Sequence, residues 1–129
     1  MYQDHDFPTR VLLVEDDYLV AADICEEIRE QGMEVARSAA SVNAALEALS
    51  DDIGFDLAIL DINLAGETVY PVADELVARD RPFIFLTGYE RGFIPPSHAA
   101  VPRFSKPLTQ AALQAMLLYA RKFARMAVS

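Results

Sequence analysis

The chain has 129 residues, enough for about one domain that buries roughly two-thirds of its unfolded surface. Its 11 Lys+Arg against 20 Asp+Glu leave a formal net charge of -9, which repels phosphate backbones and anionic lipid and argues against nucleic acid or membrane as a direct partner. With 53% hydrophobic and 24% charged residues the composition excludes low-hydrophobicity disorder, and Cys25, accompanied by His5 and His98 alone, excludes an intrachain disulfide and disfavours a Cys/His zinc site.

No apolar run approaches the roughly 18 residues of a membrane span. The opening Met1–Pro8 is acidic rather than basic and then apolar, so a cytoplasmic protein, neither anchored nor exported, is expected. Without repeats or a Gly/Ser linker, the expected organisation is an N-terminal tail over 1–9, one domain over 10–126 and a C-terminal tail over 127–129.

In chain order, Arg10–Val14 is a continuous apolar run ending in acids, the pattern of a strand buried on both faces. Tyr18–Gln31 then repeats apolar residues at Leu19, Ala22, Ile24 and Ile28, and Gly32 sits where a helix would end. Met33–Ser38 reads as a second strand, Val42–Leu49 as a helix with Ser41 available as N-cap, and Asp56–Leu60 as a third strand. Val69–Ala78 is helical provided that Pro71 lies in its first turn, and Pro82–Leu86 is the fourth strand. Gly88, Gly92, Pro95, Pro96 and Pro102 then leave room for only a loop or a short, irregular fourth helix. A brief fifth strand at Phe104 precedes the amphipathic stretch Thr109–Met126, with Leu113, Met116, Leu117, Ala120 and Ala124 along one side.

Five βα units in succession predict an α/β fold, a doubly wound parallel sheet with helices on both faces and function at the carboxyl ends of its strands. Those ends carry Glu15-Asp16-Asp17, Asp61, Thr87 and Ser105-Lys106-Pro107. If the first and third strands are neighbours, about 4.8 Å apart, their acids face each other across a space suited to a hard cation such as Mg²⁺. Asp61 could then attack phosphorus as a nucleophile, with Lys106 offering a point charge and Thr87 a hydroxyl to the phosphoryl oxygens.

Four stretches in this order, Val14-Glu15-Asp16-Asp17, Leu60-Asp61-Ile62-Asn63-Leu64, Leu86-Thr87-Gly88 and Ser105-Lys106-Pro107-Leu108, resemble the motifs of a response-regulator receiver domain. The resemblance spans about Arg10 to Met126. It implies the flavodoxin-like strand order 2-1-3-4-5 and Asp61 as phosphoacceptor. It implies Mg²⁺ or Mn²⁺ held by Glu15, Asp16, Asp61 and the Asn63 backbone carbonyl, with Thr87 as switch hydroxyl and Lys106 as phosphate-sensing lysine before a cis Pro107. It also implies a histidine kinase or phosphotransfer protein as donor, a downstream protein as target, and a monomer or a phosphorylation-linked homodimer. Two places depart from the pattern: Arg103 stands where a switch aromatic is usual, and Ala65 where a proline often follows the phosphoacceptor. Phe85-Leu86-Thr87-Gly88-Tyr89, with Val69-Tyr70-Pro71-Val72-Ala73-Asp74, resembles a Phe-x-Thr-Gly-Tyr subgroup of single-domain receivers found mainly in alphaproteobacteria, which offers Tyr89 as a replacement switch aromatic.

Plainer roles stand beside these. Asp17 and Asp23 read as acids that favour a helix N-terminus, Asn63 equally as a turn residue acting through its side chain, and His98 as an exposed loop residue. Cys25 reads as a packed small apolar residue, and Leu117, Leu118 and Tyr119 cannot all face one core. A phosphatase of the haloacid dehalogenase type would need an acid two residues after the nucleophile, where this chain has Asn63. The expected activity is thus self-phosphorylation and self-dephosphorylation without turnover of a separate substrate, or else docking that ignores phosphorylation.

Overall fold

A computed structural model describes residues 8–88 and 94–128. Strands β1 (Arg10–Val14), β3 (Leu57–Asp61) and β6 (Phe83–Thr87) are apolar on both faces because both faces are covered. Alternate residues enter opposite cores. Leu12, Val14, Ala58, Leu60, Phe83 and Phe85 face one side, and Val11, Leu13, Leu57, Ile59, Ile84 and Leu86 face the other. Helices α2 (Val42–Ser50) and α3 (Tyr70–Ala78) supply Ala45, Leu49, Val72 and Leu76 to the first core. Helices α1 (Tyr18–Glu30) and α4 (Gln110–Val128) supply Ile24, Ile28, Leu113, Met116 and Leu117 to the second. Each such Val, Leu, Ile, Phe or Met side chain, fully buried, contributes about 1.5–3 kcal/mol.

Strand β2 (Glu34–Ala39) is one edge and β7 (Arg103–Ser105) the other. The main sheet runs β2-β1-β3-β6-β7, all neighbours parallel, which is the order 2-1-3-4-5 when only its own strands are counted. Its order reverses at β1 and β3, so the crevice at their carboxyl ends is the natural site. Local signals fix the helix ends. Asp17 caps α1 by accepting from the Leu19 and Val20 amides, Ser41 Oγ caps α2 at Ala44, and Gly32 takes φ +79 beyond α1. Pro71 sits in the first turn of α3, where no amide is lost from the ladder.

Several expectations need correction. Asp23 lies inside α1 and caps nothing, and of the apolar positions in its period Leu19 is 72% exposed whereas Ile24 and Ile28 are buried. The stretch between β3 and α3 is a small antiparallel hairpin, β4 (Asn63–Leu64) with β5 (Glu67–Thr68). Its strands are two residues long, too short for any hydrophobic period to show. In the breaker-rich segment the described part, 94–102, holds one 3-10 turn, Pro96–His98, whereas Tyr89 lies outside the described residues.

His98 is the largest departure. It is 2% exposed, its Nε2 stands 2.7 Å from Asp74 Oδ1 on α3, and its ring lies 6.0 Å from those of Tyr70, Phe83 and Phe85. A loop histidine becomes core here because the turn folds it under the sheet edge into an aromatic box. In α4, Leu117 is buried while Leu118 and Tyr119 stay partly exposed, Tyr119 packing on Phe104 and Phe123.

Candidate functional site

The sheet register brings the chain's acids together. Val14 pairs with Leu60 and Asp61 with Leu86, so Glu15 and Asp16, which follow β1, lie beside the Asp61 end of β3, while Thr87 pairs with Ser105 one residue before Lys106. Carboxylate oxygens of Glu15, Asp16 and Asp61 all lie within 4.8 Å of one another, and Glu15 and Asp61 are buried at 2% and 4% exposure. Lys106 reaches into the cluster. Its Nζ is 3.0 Å from Asp61 Oδ2, a hydrogen bond, and 2.8 Å from Glu15 Oε1, an ion-pair contact whose angle falls short of one. The Lys106–Pro107 peptide is cis, and the Lys106 amide donates 2.7 Å to the Thr87 carbonyl.

Backbone amides hold the outer oxygens. The Asp17 amide donates to Glu15 Oε2 at 3.0 Å, the Asn63 amide to Asp61 Oδ1 at 3.3 Å, and the Ala65 amide to Asp16 Oδ2 at 2.9 Å. The Asn63 side chain accepts from the Gly66 amide at 3.1 Å, so it shapes the turn, and its main chain stays at the site. Thr87 Oγ1 lies 3.4 Å from the Phe104 carbonyl, the direction of β7. Arg103 Nη2 donates to the Ala99 carbonyl, tying the start of β7 to the turn before it.

Electrostatics follow from packing like charges together. Burial, then the hydrogen bond shared with Asp61, pushes the Glu15 carboxyl up to about 7, against the opposing pull of Lys106. Burial works to lower the Lys106 ammonium, but its close contacts with the Glu15 and Asp61 carboxylates and their charges outweigh it and raise that group. With all three acids ionised, three carboxylates and one ammonium leave a deficit that one divalent cation would neutralise. The donors are all oxygen, and Glu15 Oε1 is buried without a hydrogen bond among the described residues, so the residues fit a hard cation.

Residues 11–117 match the family described as response regulator receiver domain. The transcriptional regulatory protein PdtaR of Mycobacterium tuberculosis is 32% identical over 89 residues, which cover 68% of this chain and 43% of that protein; the chain therefore spans less than half of that relative's length. The solution structure of SdrG from Sphingomonas melonis Fr1 superposes with TM-score 0.73 at 36% identity, covering 88% of this chain and 95% of that one. The response regulator protein TrrA from Thermotoga maritima, in complex with Mg²⁺ and BeF, gives TM-score 0.72 at 27% identity, covering 87% and 98%.

Proposed function

The chain belongs to the response-regulator receiver family, and from that premise we propose that it is the Mg²⁺-dependent phosphoacceptor of a two-component relay, phosphorylated on Asp61. The observation that carries this reading is the convergence of Glu15, Asp16, Asp61 and Lys106 at the ends of three strands, within one carboxylate cluster. A phosphohistidine on a kinase or phosphotransfer protein is the fitting donor. An Asp61 carboxylate oxygen forms the new bond to phosphorus as the N–P bond breaks, and the imidazole leaves with that electron pair and takes up a proton. Lys106 meets the charge on the transferred phosphoryl oxygens and holds the Asp61 carboxylate in place beforehand. Glu15, Asp16, Asp61 and the Asn63 carbonyl would hold Mg²⁺ or Mn²⁺, which neutralises charge shared between acceptor and phosphoryl group.

Output is proposed to pass to a downstream protein, or to a second copy, through surfaces altered when the phosphoryl group recruits the Thr87 hydroxyl away from the Phe104 carbonyl. The Asn63 carboxamide is far too weak an acid to protonate a leaving group, and its side-chain oxygen is engaged by Gly66, which argues against a dehalogenase-type phosphatase. Arg103 in the switch-aromatic place favours a second reading, docking independent of phosphorylation, for which partner affinity would be unchanged in Asp61→Ala. The test is intact mass after incubation with a small phosphodonor and Mg²⁺. One phosphoryl group on the unmodified chain and none on Asp61→Asn supports the acceptor. No adduct from either the small donor or a phosphorylated histidine kinase overturns it.

A further inference from the structure

Every carboxylate of the cluster is held by one backbone amide, and the amide holding Asp16 comes from 49 residues away, at the tip of the β4–β5 hairpin. That tip is a two-residue loop, Ala65-Gly66, between the paired Leu64 and Glu67, with φ +52 at Ala65 and +91 at Gly66. Two successive positive φ angles make a type I′ turn, in which a non-glycine first residue costs roughly 1 kcal/mol. The hairpin sits firmly enough to hold that conformation. Leu64 is 2% exposed in the core, the Val69 amide returns to the Ile62 carbonyl at 2.9 Å, and Asn63 Oδ1 caps the turn at Gly66.

We propose that Ala65 is a positioning residue for the divalent cation: its main-chain N–H, presented by the left-handed turn, fixes the Asp16 carboxylate in the orientation that completes the metal site. This rests on the cation reading given above. Ligating carboxylates that are themselves hydrogen-bonded bind metal more tightly, and loss of such an outer partner costs about 10–100-fold in affinity. Proline is barred from this position twice over: it has no N–H to give Asp16, and its ring holds φ near -65° where the turn needs +52. With Ala65 in place of proline, the hairpin keeps the N–H that reaches across from the end of β3 to Asp16 beyond β1.

The experiment is a Mg²⁺ titration of the full chain followed by backbone amide chemical shifts, in the unmodified protein, Ala65→Pro and Ala65→Gly. Ala65→Pro is expected to weaken Mg²⁺ by about tenfold, and Ala65→Gly, which restores the N–H and tolerates positive φ, to recover the affinity. A folded Ala65→Pro that binds as tightly as the unmodified chain overturns the inference while leaving the cation reading intact. Should the proline variant fail to fold, hydrogen exchange in the unmodified chain decides. The Ala65 amide must gain protection at saturating Mg²⁺, and unchanged protection overturns the inference. If the unmodified chain binds no Mg²⁺, the cation reading itself falls, and this inference with it.

Discussion

Glu15 is a carboxyl group placed where ionisation is costly. Its level near 7, against an ordinary value of 4.5, means that the folded state holds its proton through a range in which the unfolded chain has released it. The stabilisation from that bound proton is complete below about 4.5 and is lost as pH rises through about 7. In chelator, the melting temperature should therefore fall between pH 5 and 7.5, and Glu15→Gln should flatten that slope; an equal slope in the variant would show that Glu15 is not its source. His98 poses a different question, since its Nε2 meets Asp74 while its buried Nδ1 has no hydrogen-bond partner among the described residues. His98→Ala empties the aromatic box and should cost about 2–4 kcal/mol in urea unfolding. His98→Phe keeps the ring, removes the orphaned nitrogen and leaves an Asp74 that water can serve, so it should stay within about 1 kcal/mol of the unmodified chain. A Phe variant as damaged as the Ala variant would place the stability in the Asp74 contact rather than in the packing.

Among the elements, α1 and α4 are joined by a polar tie that no periodicity announces. Glu27, 7% exposed, accepts from Gln110 Nε2 at 2.7 Å and from Gln31 Nε2 at 3.3 Å, and Gln31 also reaches the Gln114 carbonyl at 3.1 Å. Gln110→Ala strips the shorter bond from a buried carboxylate and should cost about 1–3 kcal/mol, read by thermal unfolding. A melting temperature unchanged from the unmodified chain would mean that water replaces the amide. Contrasts of this kind explain which elements were legible in the sequence. Strands β1, β3 and β6 announce themselves because burial on both faces demands unbroken apolar runs, and Asp17, Ser41, Gly32 and Pro71 mark helix ends by local chemistry. The β4–β5 hairpin does not, because Ala65-Gly66 is not a residue pair that favours a type I′ turn by itself and its stabilising contact is Asp16, distant in the chain. His98 was hidden for the same reason, its partner being 24 residues earlier on a helix. The convergence of Glu15, Asp16, Asp61, Thr87 and Lys106 was more legible than these contacts, because each stands at or just beyond the carboxyl end of a strand, where parallel pairing decides its neighbours.

For the whole molecule, a formal charge of -9 is a general self-repulsion, and the cluster of Glu15, Asp16 and Asp61 is its most concentrated instance. The two respond differently to ions. Monovalent salt screens exposed charges across about 10 Å at 0.1 M and should raise the melting temperature of the metal-free protein and of Asp61→Asn alike. The buried cluster is screened little, so relief there must come from removing a charge or from binding a cation. Asp61→Asn removes one carboxylate while Lys106 keeps its 2.8 Å contact with Glu15, and it should raise metal-free stability by roughly 1 kcal/mol, about 3–5 °C for a domain of this size. Under the proposed function the same change takes away a cation ligand, so the further rise expected from Mg²⁺ by mass action in the unmodified chain should be largely absent from the variant. Melting curves at constant ionic strength, with Mg²⁺ exchanged for monovalent salt, separate the two terms. A variant that melts lower without metal, or that gains as much from Mg²⁺ as the unmodified chain does, would mean that Asp61 does not share a charged site with Glu15 and Asp16 in solution.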